Sequence, residues 1–376
     1  MCRLPHIAPR VQHVVFWYGK TAVFSLLHTR PKASSEGSIS TKLVASLRKS
    51  LSTVSSSDSH TTQATLEFGL PNVSTIWVHN DARQLGEVLK TYVLETMPLV
   101  HASMRASMES LRNLRLDIPL EFIRCFAPLP RFSRLELLEL WTKSTRTLMS
   151  SFQLQDILEE TLNTIIIPFV NNHSTHLQTL DVMYSFSTFD ISKFLAKLEP
   201  LPNLKVLAFN ITSVQDPHVI GDFLTKHGST LRSLYMCLPT SLNTIASLVL
   251  PPGLQLQKVT LDFEFELPQP IGSTVKPFIT HFAMSTVTTF SFKHILRTMS
   301  TLCNLLDCLK SCQNLQKLDI YVNRLSMDGV SKIQEAFPRL QELSLLFNVF
   351  HIGESEVKIP KQVSVIIFWP PSSDLP

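Results

Sequence analysis

A six-residue pattern recurs along this chain and constrains its folding more than any other feature. The pattern is L-x-x-L-x-L, with Val, Ile, Phe and Met also allowed at the apolar positions. Its first positions fall at Val11, Val73, Leu111, Leu135, Leu177, Leu204, Leu231, Leu256, Val287, Leu315, Leu340 and Val363. From Leu177 onward the steps are 27, 27, 25, 31, 28, 25 and 23 residues. Before Leu177 they are 62, 38, 24 and 42, so the earlier copies are degenerate or carry insertions. Spacing this regular means one structural unit copied many times. Two copies complete a longer pattern. Leu315, Leu318, Ile320, Asn323 and Leu325 occupy L-x-x-L-x-L-x-x-N-x-L, and Leu340, Leu343, Leu345 and Asn348 do so again 25 residues later.

Between these strand segments the apolar period switches from two to that of a helix. Asp216-Pro217 opens one helix, because Asp caps and Pro suits the first helical position. Val219, Ile220, Phe223 and Leu224 form its inward face, and Gly228 ends it. Asp190 opens another, with Ile191, Phe194, Leu195 and Leu198 inward, and Ser326 a third, with Val330, Ile333 and Phe337 inward. Strand, turn, helix, turn at this period is the leucine-rich repeat. One such unit cannot bury its own apolar face, so neighbours stack and share a core. The expected fold class is α/β: a leucine-rich-repeat solenoid, or horseshoe, with a parallel concave sheet and convex helices. The asparagines at the ninth position are expected to satisfy turn backbone groups. Val363 to Phe368 reads as a last apolar strand, ended by Trp369-Pro370-Pro371 because Pro cannot continue the ladder.

The spacing predicts three regions: a degenerate first repeat with a Ser/Thr-rich flexible insertion over 1–69, the solenoid over 70–370, and a disordered tail over 371–376. The insertion spans about 33–65, with a short helix over 42–51 carrying Leu43, Leu47 and Leu51 on one face. Net charge is +4 but uneven: residues 1–60 hold eight Lys/Arg against Glu36 and Asp58, giving +6, so the remainder sums to −2. No aromatic interleaving accompanies the basic residues, which reads as a solvated segment and not a nucleic-acid patch. Only 10 glycines are present, too few for a glycine-rich phosphate loop. The six cysteines form no C-x-x-C pair, so neither zinc nor a secreted disulfide framework is expected. Cys303, Cys308 and Cys312 are placed on one predicted helix. No run of 18 apolar residues occurs, and Val14 to Leu27 lacks a clean cleavage site, so neither a membrane span nor a signal peptide is expected. The expected location is cytoplasmic or nuclear.

In each strand the first, fourth and sixth positions face the core, and alternation sends the third, fifth and seventh to the concave surface. All four tryptophans fall on that surface, Trp17, Trp77, Trp141 and Trp369, together with Tyr235 and Tyr321. These six are the predicted partner-binding residues, because Trp and Tyr supply contact area at little rotamer cost. The charges sharing the surface are mixed: Arg115, Asp117, Glu139, Asp181, Lys258, Asp262, Lys293, Lys317, Asp319 and Glu342. Mixed sign favours a protein partner over a polyanion. No catalytic set, metal site or cofactor site emerges. His173 and His176 have no carboxylate or Cys at ligand spacing and read as a pair in a turn. Glu159-Glu160 and Glu264/Glu266 read as exposed charges, and no G-x-S-x-G or H-E-x-x-H occurs.

The segments Leu-Pro-Asn-Leu-Lys-Val-Leu (201–207), Thr-Leu-Arg-Ser-Leu (230–234) and Phe-Pro-Arg-Leu-Gln-Glu-Leu-Ser-Leu (337–345) resemble the leucine-rich half of fungal, basidiomycete-type F-box proteins. The resemblance covers roughly residues 70–370. It implies a substrate-recognition or scaffold protein that acts by binding and is no enzyme, with ubiquitin-ligase components of the cullin type as further partners. The F-box itself is not recognisable, since Arg3-Leu4-Pro5-His6-Ile7 is too brief to be one. The expectation is a truncated member, or one that lost the ligase link. The alternative is an enzyme or enzyme regulator with a site built on the repeat insertions.

Overall fold

The computed structural model describes residues 11–18, 23–28, 72–80, 100–118, 123–124, 127–142, 151–184, 189–211, 213–238, 245, 248, 250–263, 275–352 and 355–368. The chain divides into two compact units, Met1–Phe186 and Ser187–Pro376. The insertion expected over 33–65, Glu264, Glu266, Trp369 and the tail over 371–376 lie outside the described residues.

The first unit carries β1 (Val11–Tyr18), β2 (Val23–His28), β3 (Thr75–Asn80), β4 (Asn113–Asp117), β5 (Leu137–Thr142) and β6 (Thr179–Tyr184). Their order across the sheet is β2-β1-β3-β4-β5-β6. All pairs are parallel except β1 with β2. The second unit carries β7 (Val206–Asn210), β8 (Ser233–Leu238), β9 (Lys258–Phe263), β10 (Thr289–Leu296), β11 (Lys317–Ser326), β12 (Glu342–Ile352) and β13 (Ser355–Phe368). They lie in chain order, parallel from β7 to β12, with β13 antiparallel to β12. The strands following Leu204, Leu231, Leu256 and Leu315 therefore stack in sequence order, as the spacing requires. The fold class is α/β, a leucine-rich-repeat array of parallel strands joined through helices.

The repeated apolar positions explain the stacking. Fourth positions meet across the strands: Val14, Ile76, Leu114, Leu138 and Leu180 in the first unit, Leu207, Leu234, Val259, Phe290, Leu318 and Leu343 in the second. Nearly all are fully buried, as are most first positions from Val73 to Leu315. The backbone repeats too. Within each unit, second-position carbonyls repeatedly accept from the second- and third-position N–H groups of the next repeat. Ser74 accepts from Arg112 and Asn113, Arg112 from Glu136 and Leu137, and Lys205 from Arg232 and Ser233. Gln316 still accepts from Gln341 and Glu342 near the other end of the series.

The helices close the face that carries these leucines. Pro217–His227 begins where Asp216 accepts from the His218 N–H, and buries Ile220, Phe223 and Leu224. Ile191–Ala196 is capped by Asp190 and Met327–Ala336 by Ser326, as the sequence predicts. Ser151–Asn172 joins β5 to β6 and widens to a π-helical segment at Leu162–Ile166. Pro168 follows one residue later; it has no N–H to give and its ring would press on the carbonyl four residues back, which the wider turn relieves.

Four expectations are corrected. Val363 does not start a twelfth parallel repeat. It lies on antiparallel β13, opposite Phe347, and Val365 and Ile367 face Leu345 and Leu343. Ile366, which the repeat register would bury, is 51 % exposed. Only residues 353–354 separate β12 from β13, too few for the crossover a parallel strand needs. The antiparallel β2 was likewise not expected as a partner for β1. Cys312 lies beyond the helix Met299–Cys308, which holds only Cys303 and Cys308 of the three, yet it is fully buried. Finally, the chain does not turn at the ninth-position asparagines. β11 and β12 run on past them, and Asn348 Nδ2 donates to Asn323 Oδ1 at 2.9 Å, a side-chain rung between strands.

Candidate functional site

Among the described residues, strand alternation leaves one face of each sheet without helices. The third, fifth and seventh positions stand on it, and there the two units differ in character.

On β3–β6 the fifth positions form a row in register: Trp77, Arg115, Glu139 and Asp181. The seventh positions form the next: His79, Asp117, Trp141 and Met183. Trp141 is 43 % exposed, and Trp77 is half-buried with its ring 5.4 Å from that of His79. His79 Nδ1 lies 2.6 Å from Asp117, and Arg115 Nε lies 3.3 Å from Glu139. Burial raises the Glu139 carboxyl above its ordinary range, with Arg115 opposing. Burial pushes Asp181 further, up to about 7; a hydrogen bond from Trp141 opposes this, the Glu139 charge adds to it, and Arg115 opposes it weakly. Arg115 thus stands against Glu139 alone, and burial leaves the Asp181 carboxyl titrating near 7. Trp17 lies on β1 in register with His79.

On β7–β12 the aromatic residues are tied into hydrogen bonds. The Tyr235 hydroxyl donates to Asp262 at 2.6 Å, and Lys293 Nζ sits 5.0 Å from the Tyr235 ring centroid. The Tyr321 hydroxyl accepts from Asn348 at 3.0 Å. Ser291 donates to Asp319 at 3.0 Å, and Lys317 pairs with Glu342 at 2.5 Å. A bulge in β10 alters this face. Phe292 pairs with Ile320 and Ile295 with Tyr321, so Lys293 and His294 have no opposite residue on β11. Bulges re-aim side chains, and this one opens a cavity of about 480 Å³ lined by Lys293, Ile295, Arg297, Asp319, Tyr321 and Leu346, with Phe263, Phe292, His294 and Ile320 behind. Its size suits a small ligand or a partner side chain.

Of the six predicted partner-binding residues, Trp77 and Trp141 share the first unit's face, and Tyr235 and Tyr321 share the second's. The side chain of Trp17 and all of Trp369 fall outside what is described. The predicted set omitted Asp181, His294 and Ile295. Asp181 was legible as a charge on the face, but its loss of solvent was not, and the β10 bulge leaves no mark in the L-x-x-L-x-L spacing. His173 is 2 % exposed and structural: its Nε2 accepts from the Phe132 N–H at 2.9 Å and its Nδ1 bonds the Phe169 carbonyl at 2.7 Å. Glu160 pairs with Arg124 at the protein surface. Among the described residues no cluster of three or more His, Cys, Asp or Glu could hold a metal ion, and no helix is long and apolar enough to cross a membrane.

No protein-family model matches the chain, and no curated protein does. Among solved structures it is similar to one described as the crystal structure of the Rad7 and Elc1 complex in yeast. The TM-score is 0.39 at 14% identity, over 72% of this chain and 69% of that one. Similarity of that degree leaves the fold assignment to the strand order, the parallel register and the repeated backbone bonds themselves.

Proposed function

We propose that this chain is a non-enzymatic protein-binding module, a substrate receptor or scaffold whose contact surface is the helix-free face of the repeats. The observation that carries this reading is Trp141, a large ring 43 % exposed among prearranged charges of both signs. Rigid aromatic anchors surrounded by paired charges are what protein interfaces use at their centres. The resemblance of the repeats to the leucine-rich half of fungal F-box proteins gives the reading its specific form: a substrate held on the repeats, in a cytoplasmic or nuclear setting, with cullin-type ubiquitin-ligase components recruited alongside.

A second reading, an enzyme or enzyme regulator, is favoured by the polar cluster of Lys293, His294, Arg297, Asp319 and Tyr321 around the β10 cavity. One experiment separates the two. The chain is expressed in its native host fused to a proximity-labelling enzyme, as wild type, Trp141→Ala and Lys293→Ala, with each variant's cooperative melting checked. The receptor reading expects a defined set of proteins, including ligase subunits, that is lost with Trp141→Ala and kept with Lys293→Ala. The opposite pattern, or a Trp141→Ala variant that folds and keeps the whole set, overturns it.

A further inference from the structure

Three carboxylates stand on the helix-free face of β3–β6, and two of them have a basic neighbour. Asp117 has His79 at 2.6 Å, and Glu139 has Arg115 at 3.3 Å. The third, Asp181, has the indole N–H of Trp141, a neutral donor. Its Oδ1 is buried and has no hydrogen-bond partner among the described residues. A carboxylate oxygen closed off from water without a donor costs stability, and the repeat architecture does not demand one there. The same fifth position holds Ala208, Thr260, Ser291 and Ser344 in other repeats, all small residues. Asp319 also occupies it, but there the Ser291 hydroxyl supplies a donor. The site on β5 and β6 is therefore short of one cation.

We propose that Asp181 and Glu139 receive the guanidinium group of an arginine side chain on a protein partner, laid against the indole of Trp141. The proposal rests on the receptor reading above and names the chemistry its partner must carry. Along the fifth-position row the charges run Arg115 positive, Glu139 negative, Asp181 negative. A guanidinium reaching both carboxylates restores alternation. Arginine fits better than lysine, because its planar fork spans two carboxylates and stacks on an indole, whereas an ammonium is a compact point charge that clings to water. Because Oδ1 is closed off, entry of the guanidinium requires a side-chain movement, and the indole of Trp141, 43 % exposed and hydrogen-bonded to Asp181, is placed to make it and to become the wall of the site. Asp181 standing near 7 is what a carboxylate awaiting its counter-ion does, and an arriving guanidinium lowers it.

The test uses the full chain and two probes, N-acetyl-argininamide and N-acetyl-citrullinamide, which share a shape and differ in charge. Tryptophan fluorescence gives the affinities, and carboxyl-carbon NMR follows the titration of Asp181. The arginine probe should bind roughly tenfold or more tightly than the citrulline probe, as for a hydrogen bond made to a charged group. It should also draw the Asp181 titration to lower pH. Asp181→Asn should erase the preference, while Glu342→Gln, a carboxylate change in the other unit, should leave it. A wild-type chain that treats the probes alike, or a preference that survives Asp181→Asn, overturns the proposal. Should Asp181→Asn fail to fold, the wild-type titration decides alone. The two readings fail separately. Partner labelling lost in Trp141→Ala yet intact in Asp181→Asn removes the arginine site and leaves the receptor. An arginine preference with labelling indifferent to Trp141 removes the receptor and leaves the site.

Discussion

Replacing Asp181 by Asn should change how the stability of the fold depends on pH. In the unfolded chain an aspartate titrates near 3.8, and in the folded one burial raises Asp181 to about 7. Between those values the folded state binds a proton that the unfolded state has released, so stability falls as pH rises. The contribution is whole below 3.8, is lost progressively through the window, and is gone above about 7. The total corresponds to on the order of 4 kcal/mol, at up to about 1.4 kcal/mol per pH step. Asn keeps the shape and can still accept from Trp141, but it does not ionise. Any constant cost of its amide is the same at every pH, so the slope carries the information. Glu139 is shifted in the same direction, so part of the wild-type slope remains in the variant. Urea unfolding from pH 4 to 8, followed by circular dichroism, gives the comparison. Wild type should lose ground to Asp181→Asn steadily up to pH 7 and then level off. Parallel curves would refute the argument, because they would mean that Asp181 is solvated or already holds a cation.

Leu207→Ala and Leu318→Ala should each cost roughly 2–5 kcal/mol in chemical unfolding, since both are buried fourth-position residues locked between strands; less than about 1 kcal/mol lost would mean that the stacked core is not as described. His173 should make the first unit acid-sensitive. Burial is the main cause lowering it below the ordinary 6.5, so the stability of its neutral form is present above that value and is lost as pH falls. Melting of His173→Gln should therefore be less steeply pH-dependent than wild type below pH 6.5, and equal dependence would show that another group governs the acid limb.

The leucines made the fold legible. From Val73 to Leu340 each L-x-x-L-x-L marks a strand whose fourth and sixth residues are buried, and caps at Asp190, Asp216 and Ser326 marked the helix starts. Alternation also put Trp77, Trp141, Tyr235 and Tyr321 on the correct side of their sheets. What failed to show was decided by pairing between strands. β2 and β13 are antiparallel, and a hairpin strand follows a period of two without the leucine spacing. Asn323 and Asn348 looked like turn residues because the local pattern cannot reveal that their amides meet each other. The bulge at Lys293 and His294 depends on how β10 pairs with β11, and with it the cavity. Asp181 was visible as one charge among ten, but its environment comes from neighbours 40 or more residues away in sequence, such as Trp141.

The hairpin made by β12 and β13 bears on how an array of identical strands stops growing. A parallel repeat offers on its outer edge the same register that it accepted on its inner one, so another copy of the chain could add there without limit. β13 reverses the polarity of that edge. It also carries Lys358, Pro360 and Lys361 along its length, two charges and a residue with no N–H to give. Edge strands built this way resist further pairing. Among the described residues β13 is the outer strand on that side, so the reversal leaves an edge that does not present the parallel register the repeats share.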